Sequence, residues 1–247
     1  MATLVMVAMM QRSPWWYRQR GTVLAAIYVL GFFGGSLLWT LGGHGDEALA
    51  AWAGAGLGNF GPDLVLALGT LSAIMAWAIR VWGASYLSAG VVWNPDATTN
   101  ALLVDGPFRY LRNPLYLGNA LLALGIGTLA SPYGFAILII GHAIFLPMLM
   151  RFEEHGLRER YGAAYDAYTR AVPAFIPRLT PAHVNGSVTG MPSLAQGLRA
   201  EILSAALAVG MLEVWFAGRY GGKIFIALFI GGWFAQLLVT QPRSESA

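Results

Sequence analysis

The chain has 247 residues, 57% of them hydrophobic and only 11% charged, far below the roughly 25% charged side chains of an average soluble domain. That balance excludes an ordinary soluble domain and puts the membrane class first. The net charge of +3 comes with no basic stripe of interleaved aromatics for a nucleic acid, and the absence of cysteine removes disulfides, thiolate metal sites, Fe–S clusters and a cysteine nucleophile.

Residues 1–10, MATLVMVAMM, are apolar but lack a basic start and run into QRSPWWYRQR. They fit no cleavable signal peptide and predict an interfacial segment with a Trp/Tyr anchor. A spanning helix needs about 20 mostly apolar residues. Five stretches qualify, about 22–41, 63–83, 133–150, 199–217 and 223–240, and a shorter sixth covers about 115–131. Short loops rich in Lys and Arg stay in the cytoplasm. With six spans and the N-terminus inside, all fifteen basic residues except Arg219 and Lys223 fall on or beside that side. The expectation is an all-α polytopic membrane helical bundle of about six transmembrane helices, with both termini cytoplasmic. Gly31 with Gly35, and the pairs Gly221-Gly222 and Gly231-Gly232, permit close helix packing.

The outer loop 42–62 is Gly-rich and closes with Pro62 and Asp63, a good helix start. Gly54, Gly56 and Gly58 mimic a dinucleotide-binding fingerprint, but that motif needs a strand before it and a helix directly after it. Neither is expected here. Arg80, Glu201 and Glu213 lie near span ends, where their side chains can snorkel to the interface.

Residues 84–114 read as a cytoplasmic loop whose end is the stretch FRYLRNPLYLGN, 108–119. Asn113 is a favoured N-cap and Pro114 a favoured first helical residue. Such a helix start leaves free N–H groups and a positive dipole end, which suit a carboxylate or phosphate. Arg109 and Arg112 would add to that field, although each alone reads as positive-inside anchoring. The next two spans form a hairpin through Ser131, Pro132, Tyr133 and Gly134.

Pro147 predicts a kink, and Glu153-Glu154 closes the second arm. Acidic groups at a helix C-terminus oppose the dipole unless something positive is near. His142, at mid-span, faces the same way as Glu153, about three turns on, and reads as a neutral histidine bonded between helices. The other histidines, His44, His155 and His183, are scattered, and no metal site is expected. Leu157, Tyr161, Tyr165 and Tyr168 give an apolar-aromatic face to a cytoplasmic amphipathic helix ended by Pro173 and Pro177. Residues 180–197 read as a linker to an appended pair of spans.

An anion-favouring helix start, a cation-favouring helix end and an aromatic helix therefore share one rim of one hairpin. A zwitterionic, purine-bearing ligand suits that combination, and S-adenosylmethionine carries a carboxylate, an ammonium, a sulfonium and an adenine. The run over about residues 79–178 also resembles the isoprenylcysteine carboxyl methyltransferase and phospholipid methyltransferase superfamily. The likeness rests on Arg80 to Trp82, LLVDGPFRYLRNPLYLG at 102–118, the SPYG turn, FEE at 152–154 and YGAAYDAYTRAVPAFIP at 161–177.

The resemblance implies that Arg112, Asn113, Tyr116, Leu117 and Gly118, with Arg109, hold the amino-acid end of S-adenosylmethionine. It implies that Glu153 and Glu154 face its positive groups and the reacting centre, with Arg112 beside them, and that Tyr165, Tyr168 and Pro173 cover the adenine. Asn113 stands where the prenylcysteine enzymes carry histidine. It cannot titrate, so any proton-transfer role of that position is lost; some phospholipid methyltransferases also resemble this chain in Asn-Pro at this point, which tilts the reading slightly toward lipid amines.

Three regions follow: residues 1–61 with the first span, a methyltransferase-like core at 62–178, and a linker with the last two spans at 179–247. The expected partners are membrane lipids and a lipophilic or lipidated acceptor, prenylcysteine carboxylate or phospholipid amine. A homo-oligomer is compatible, and neither a metal nor a nucleic acid is expected. The active site would face the cytoplasm. The rival readings are a small-thiol methyltransferase, an NADPH-dependent enzyme like the sterol reductases, and a non-catalytic scaffold or transporter.

Overall fold

A computed structural model describes residues 14–45, 47–87, 102–184, 192–217 and 221–240, and these form helices and connecting turns with no strand among them. The apolar stretch 1–10 lies outside the described residues. After the short helix α1 (Trp15–Arg18), α2 (Arg20–Leu41) contains a π-helical turn at Leu30–Gly34. Then come α3 (Leu49–Ala55), α4 (Gly61–Tyr86), α5 (Pro114–Gly127), α6 (Pro132–Tyr161) and α7 (Ala163–Ala171). The C-terminal part holds α8 (Leu194–Ala200), α9 (Ile202–Ala217) and α10 (Gly221–Thr240).

Three of these helices, α2, α4 and α6, are long and apolar enough to cross a membrane. The pair α8–α9 becomes a fourth if taken as one span bent by 72°. The remaining two expected spans are shorter apolar helices, α5 and the stretch Lys223–Val239 of α10. Phe33, Leu41, Leu68, Ile144 and Leu238 leave large apolar surfaces outward on these helices, as a lipid environment requires. The chain is a helical membrane protein.

The 14 residues of α5 rise about 21 Å, short of the ~30 Å hydrocarbon core. The outer loop explains why the helix stops there. Leu49 N–H donates to the Ala130 carbonyl at 2.6 Å and Ala50 N–H to Thr128 at 3.0 Å, so α3 satisfies the carbonyls that a longer α5 would have kept. The expected hairpin follows: Ser131 caps α6 by accepting from Gly134 N–H at 3.1 Å, and Pro132 takes the first turn. Gly54, from the glycine cluster of this loop, packs directly on Gly61 and Pro62.

Close approaches hold the bundle together. A Cβ on Gly35 would collide with the backbone of Gly134, and one on Gly125 would sit 2.6 Å from the Gly69 carbonyl, so α2 meets α6, and α4 meets α5, backbone to backbone. Of the C-terminal pair Gly231-Gly232, Gly232 packs on the Ala206 methyl group, while Gly231 faces open space. Ser72 donates to the Leu121 carbonyl at 2.7 Å and Thr70 to Met211 at 3.3 Å. One apolar cluster joins α4, α5 and α9 through Ala73, Ala76, Leu122, Ile126, Leu207 and Met211.

Three expectations change. The amphipathic helix carrying Leu157 to Tyr168 is not one unit separate from the hairpin's second arm: α6 runs unbroken through Pro147 to Tyr161, and the break falls at Gly162, whose φ of 51° suits glycine. Leu157 and Tyr161 thus end α6 while Tyr165 and Tyr168 sit on α7, yet all four still share one cluster with Val104 and Val172. The stretch expected as linker becomes helical at Leu194, capped by Ser193. Arg80 and Glu201 do not snorkel: they are 8% and 0% exposed and paired with each other.

Candidate functional site

Arg112 and Asn113 enter the site from the turn before α5. Arg112 forks onto Glu154 of α6, with Nε to Oε1 and Nη2 to Oε2 both at 3.0 Å. Its remaining nitrogen, Nη1, donates to the carbonyls of Val172 (2.7 Å) and Thr169 (3.2 Å) at the end of α7, where a cation complements the negative helix end. Asn113 occupies the cap position of α5 but makes no capping bond. Its amide nitrogen donates instead to Glu154 Oε1 at 3.1 Å and to the Ala174 carbonyl at 3.0 Å. Glu154, which by sequence alone opposes its helix dipole, has its counter-charge 42 residues back in the chain.

Glu153 turns the other way. A step of one residue rotates about 100° on a helix, so the adjacent carboxylates address different neighbours. Tyr116 of α5 and Tyr17 of α1 both donate to Glu153 Oε1, at 2.6 and 2.9 Å. Tyr17 and Tyr116 belong to a cluster with Trp16, Phe145, Leu149 and Phe152. Arg20 lies 4.8 Å from the centre of the Tyr17 ring, and its Nη1 is buried without a hydrogen-bond partner. Tyr17 is therefore more than an interfacial anchor.

Below the pair, Tyr165 and Tyr168 pack edge to face at 6.0 Å, and Tyr168 donates to the Phe108 carbonyl at 2.8 Å. Burial pushes both hydroxyls above the usual phenol range, with the Glu154 carboxylate adding to the effect on Tyr165, so both remain neutral. The Tyr165 hydroxyl is buried with no hydrogen-bond partner, although the Arg112 guanidinium is near enough to act on its charge. Segment 173–182 runs back along 109–112: Arg112 N–H donates to Pro173, Arg178 N–H to Tyr110 and Ala182 N–H to Arg109, at 2.9–3.0 Å.

The sequence-predicted residues are thus gathered unevenly. Arg112, Asn113, Glu154 and the Pro173 backbone form one cluster; Tyr116 and Glu153 form the second; Tyr165 and Tyr168 line the first from below. Arg109 is turned aside, its Nε on the Ala182 carbonyl at 3.0 Å. Leu117 contributes its N–H to the first turn of α5, to Asn113 O at 3.1 Å, and buried Gly118 lies against the side chain of Arg80. His142 bonds within its own helix, Nδ1 to the Leu138 carbonyl at 2.8 Å, rather than between helices, and stacks edge-on to Tyr28 of α2.

Residues 64–164 match the phospholipid methyltransferase family. The match opens in α4 and closes in α7, so it takes in Arg112, Asn113, Tyr116, Glu153 and Glu154. It leaves out Tyr17, Arg20, Tyr165 and the whole C-terminal part. Curated proteins similar to this chain include two named for metal resistance. The chain is 32% identical over 124 residues to the "Cobalt-zinc-cadmium resistance protein CzcN" of Cupriavidus metallidurans, covering 50% of this chain and 54% of that one. It is 32% identical over 117 residues to the "Nickel-cobalt-cadmium resistance protein NccN" of Alcaligenes xylosoxydans xylosoxydans, covering 47% and 51%. The chain thus spans about half the length of the curated relatives it matches. No solved structure matches it.

The matched segment 64–164 holds most of the polar site, and two residues outside it that pair with residues inside it, Tyr17 with Glu153 and Glu201 with Arg80, escaped sequence reasoning. Tyr17 sits in a Trp-Trp-Tyr run in which nothing distinguishes an anchor from a ligand of a carboxylate. Arg80 and Glu201 carried a usable signal: opposite charges in separate apolar stretches, each expensive unless paired.

Proposed function

We propose that the chain is an integral membrane methyltransferase that uses S-adenosylmethionine, with its site at the cytoplasmic face and an acceptor that arrives within the bilayer. The observation that carries this reading is the division of labour between adjacent carboxylates, Glu154 on Arg112 and Asn113, Glu153 on Tyr116 and Tyr17. A guanidinium, an amide and a carboxylate set side by side complement an amino-acid zwitterion, and the unpartnered Tyr165 hydroxyl borders them, so the donor set suits this cofactor. Arg112 and Asn113 would hold its carboxylate, Glu154 its ammonium, and Tyr165 and Tyr168 would flank the base.

When bound, S-adenosylmethionine supplies an electrophilic methyl group on its sulfonium. The chain's own contribution is alignment and the exclusion of water; a fixed near-attack geometry removes roughly 7–11 kcal/mol of barrier. Glu153, with its two hydroxyl donors on one oxygen and Oε2 accepting from no described residue, would take the proton of a protonated amine acceptor. A prenylcysteine carboxylate would need no base. The metal-resistance names of the relatives state no chemistry for the acceptor. We favour a phospholipid amine, because the half-buried Glu153 carboxylate could take its proton, with the prenylcysteine carboxylate as the alternative.

The test incubates purified protein with labelled S-adenosylmethionine against a phospholipid extract, a prenylcysteine analogue and small thiols. Melting is followed in parallel with S-adenosylhomocysteine or NADPH. Label in an aminophospholipid and stabilisation by S-adenosylhomocysteine alone are expected; stabilisation by NADPH alone, or by neither, rejects the reading.

A further inference from the structure

Behind α5, on the side away from the two glutamates, lies a third polar cluster. Arg80 of α4 forks onto Glu201, Nε to Oε2 at 2.6 Å and Nη2 to Oε1 at 2.9 Å, and Ser204 donates to the same Oε2 at 2.8 Å. The free arm of the guanidinium, Nη1, grips α5. It donates to the Leu115 carbonyl at 3.2 Å and, by a short bond, to Asn119 Oδ1. Those acceptors stand one turn apart at the start of the helix that bears Asn113 and Tyr116. Gly118 lies between them, and a Cβ there would collide with the Arg80 side chain. A glycine at this position is needed for the guanidinium to reach past the helix.

Glu201 owes its place to the C-terminal part of the chain. It occupies the break between α8 and α9, where the path bends by 72°. Gln236 of α10 closes the break from outside, accepting from Leu203 N–H at 3.2 Å and donating to the Arg199 carbonyl at 3.3 Å. The start of α8 is fastened to α4: Ser193 N–H donates to the Ser85 carbonyl at 2.8 Å, and Gly197 lies on the Val81 carbonyl. The carboxylate is thus held rigidly against Arg80, while none of Glu201, Ser204 and Gln236 belongs to the matched segment 64–164.

We propose that Arg80 and Glu201 are positioning residues. The bent pair α8–α9 acts as a brace that, through this ion pair, holds the first turn of α5 and with it Asn113 and Tyr116 opposite Glu154 and Glu153. The brace itself is independent of the chemistry; its consequence for donor binding rests on the methyltransferase reading above.

The experiment uses the full chain in lipid nanodiscs and three variants: Glu201→Gln, Arg80→Lys, and the apolar double variant Arg80→Met with Glu201→Leu. Hydrogen exchange over residues 113–122 is compared with residues 136–146 of α6, and the affinity for S-adenosylhomocysteine is measured alongside. A buried pair replaced by apolar side chains commonly keeps its stability, so the double variant separates positioning from folding. The expected result is faster exchange at 113–122 with 136–146 unchanged, and about tenfold weaker binding, the size of effect for a residue acting through one packed neighbour, in the double variant and in Arg80→Lys. A folded double variant with wild-type protection and affinity would show the pair to be packing only and overturn the proposal. If the wild type binds no S-adenosylhomocysteine, the methyltransferase reading fails, and the exchange pattern alone still decides the brace.

Discussion

At the scale of single residues, the site depends on which partner each carboxylate loses. Glu154→Gln leaves Arg112, with only 12% of its side chain exposed, short of its counter-charge. Removing one partner of a buried pair costs roughly 3–5 kcal/mol, an upper bound for this rim position. The expected outcome is a clearly lowered melting temperature together with loss of donor binding; unchanged calorimetry would remove Glu154 from the zwitterion site. Arg112→Lys keeps the charge but cannot supply the fork and the two α7 carbonyl bonds at once. Tyr17→Phe removes one of two hydroxyls on Glu153 Oε1, and a bond to a charged group contributes about 1.5–3 kcal/mol. The expected signature is a raised KM for the acceptor with the donor's KM unmoved. Because Tyr17 and Tyr116 converge on one oxygen, the double Phe variant should lose less than the sum of the singles.

At the scale of elements, two glycines of the α6–α7 region should respond with opposite sign. Gly162 adopts φ 51° at the break between the helices, and Gly162→Ala is expected to destabilise by about 1–3 kcal/mol. It would also disturb the seating of Tyr165 and Tyr168 against Glu154. Gly156 lies inside α6 with open space where a Cβ would stand, so Gly156→Ala should stabilise by about 0.5–1 kcal/mol. Thermal unfolding of the two variants side by side checks both signs. The sequence placed the hairpin turn at Ser131 and Pro132 correctly because its capping chemistry is local. It could not place the end of α5, because the groups that satisfy Thr128 and Ala130 come from Leu49 and Ala50. The end of α6 was misplaced for a related reason: a charged, exposed stretch after a span reads as a new helix, while only the backbone angle of Gly162 reveals where the axis breaks.

At the scale of the whole molecule, the proposed orientation puts the turn at 42–45 and the segment 173–182 on opposite sides of the membrane. The chain contains no cysteine, so single-cysteine labelling has no background. Gly45→Cys should be labelled from outside intact cells and Ile176→Cys, exposed in the structure, only after permeabilisation; labelling of both from one side would refute the orientation. Ligand binding confined to the folded state stabilises by about 2.7 kcal/mol at a hundredfold excess over Kd. Saturating S-adenosylhomocysteine should therefore raise the melting temperature by a few degrees, and that shift should vanish in Glu154→Gln.

Read alone, the sequence determined the helical membrane class, the hairpin, the charge character of a helix start bearing arginines and of a helix end bearing two glutamates, and the aromatic face that follows them. These follow from composition, periodicity and capping, which act within a few residues of each other. Only the tertiary structure decided that Glu153 and Glu154 divide between two partner sets, that Tyr17 reaches a carboxylate 136 residues away, and that Arg80 and Glu201 are partners rather than two solvated span ends. A charge inside an apolar bundle must find its counter-charge wherever the chain brings one. That choice depends on how the helices cross, which no local pattern encodes.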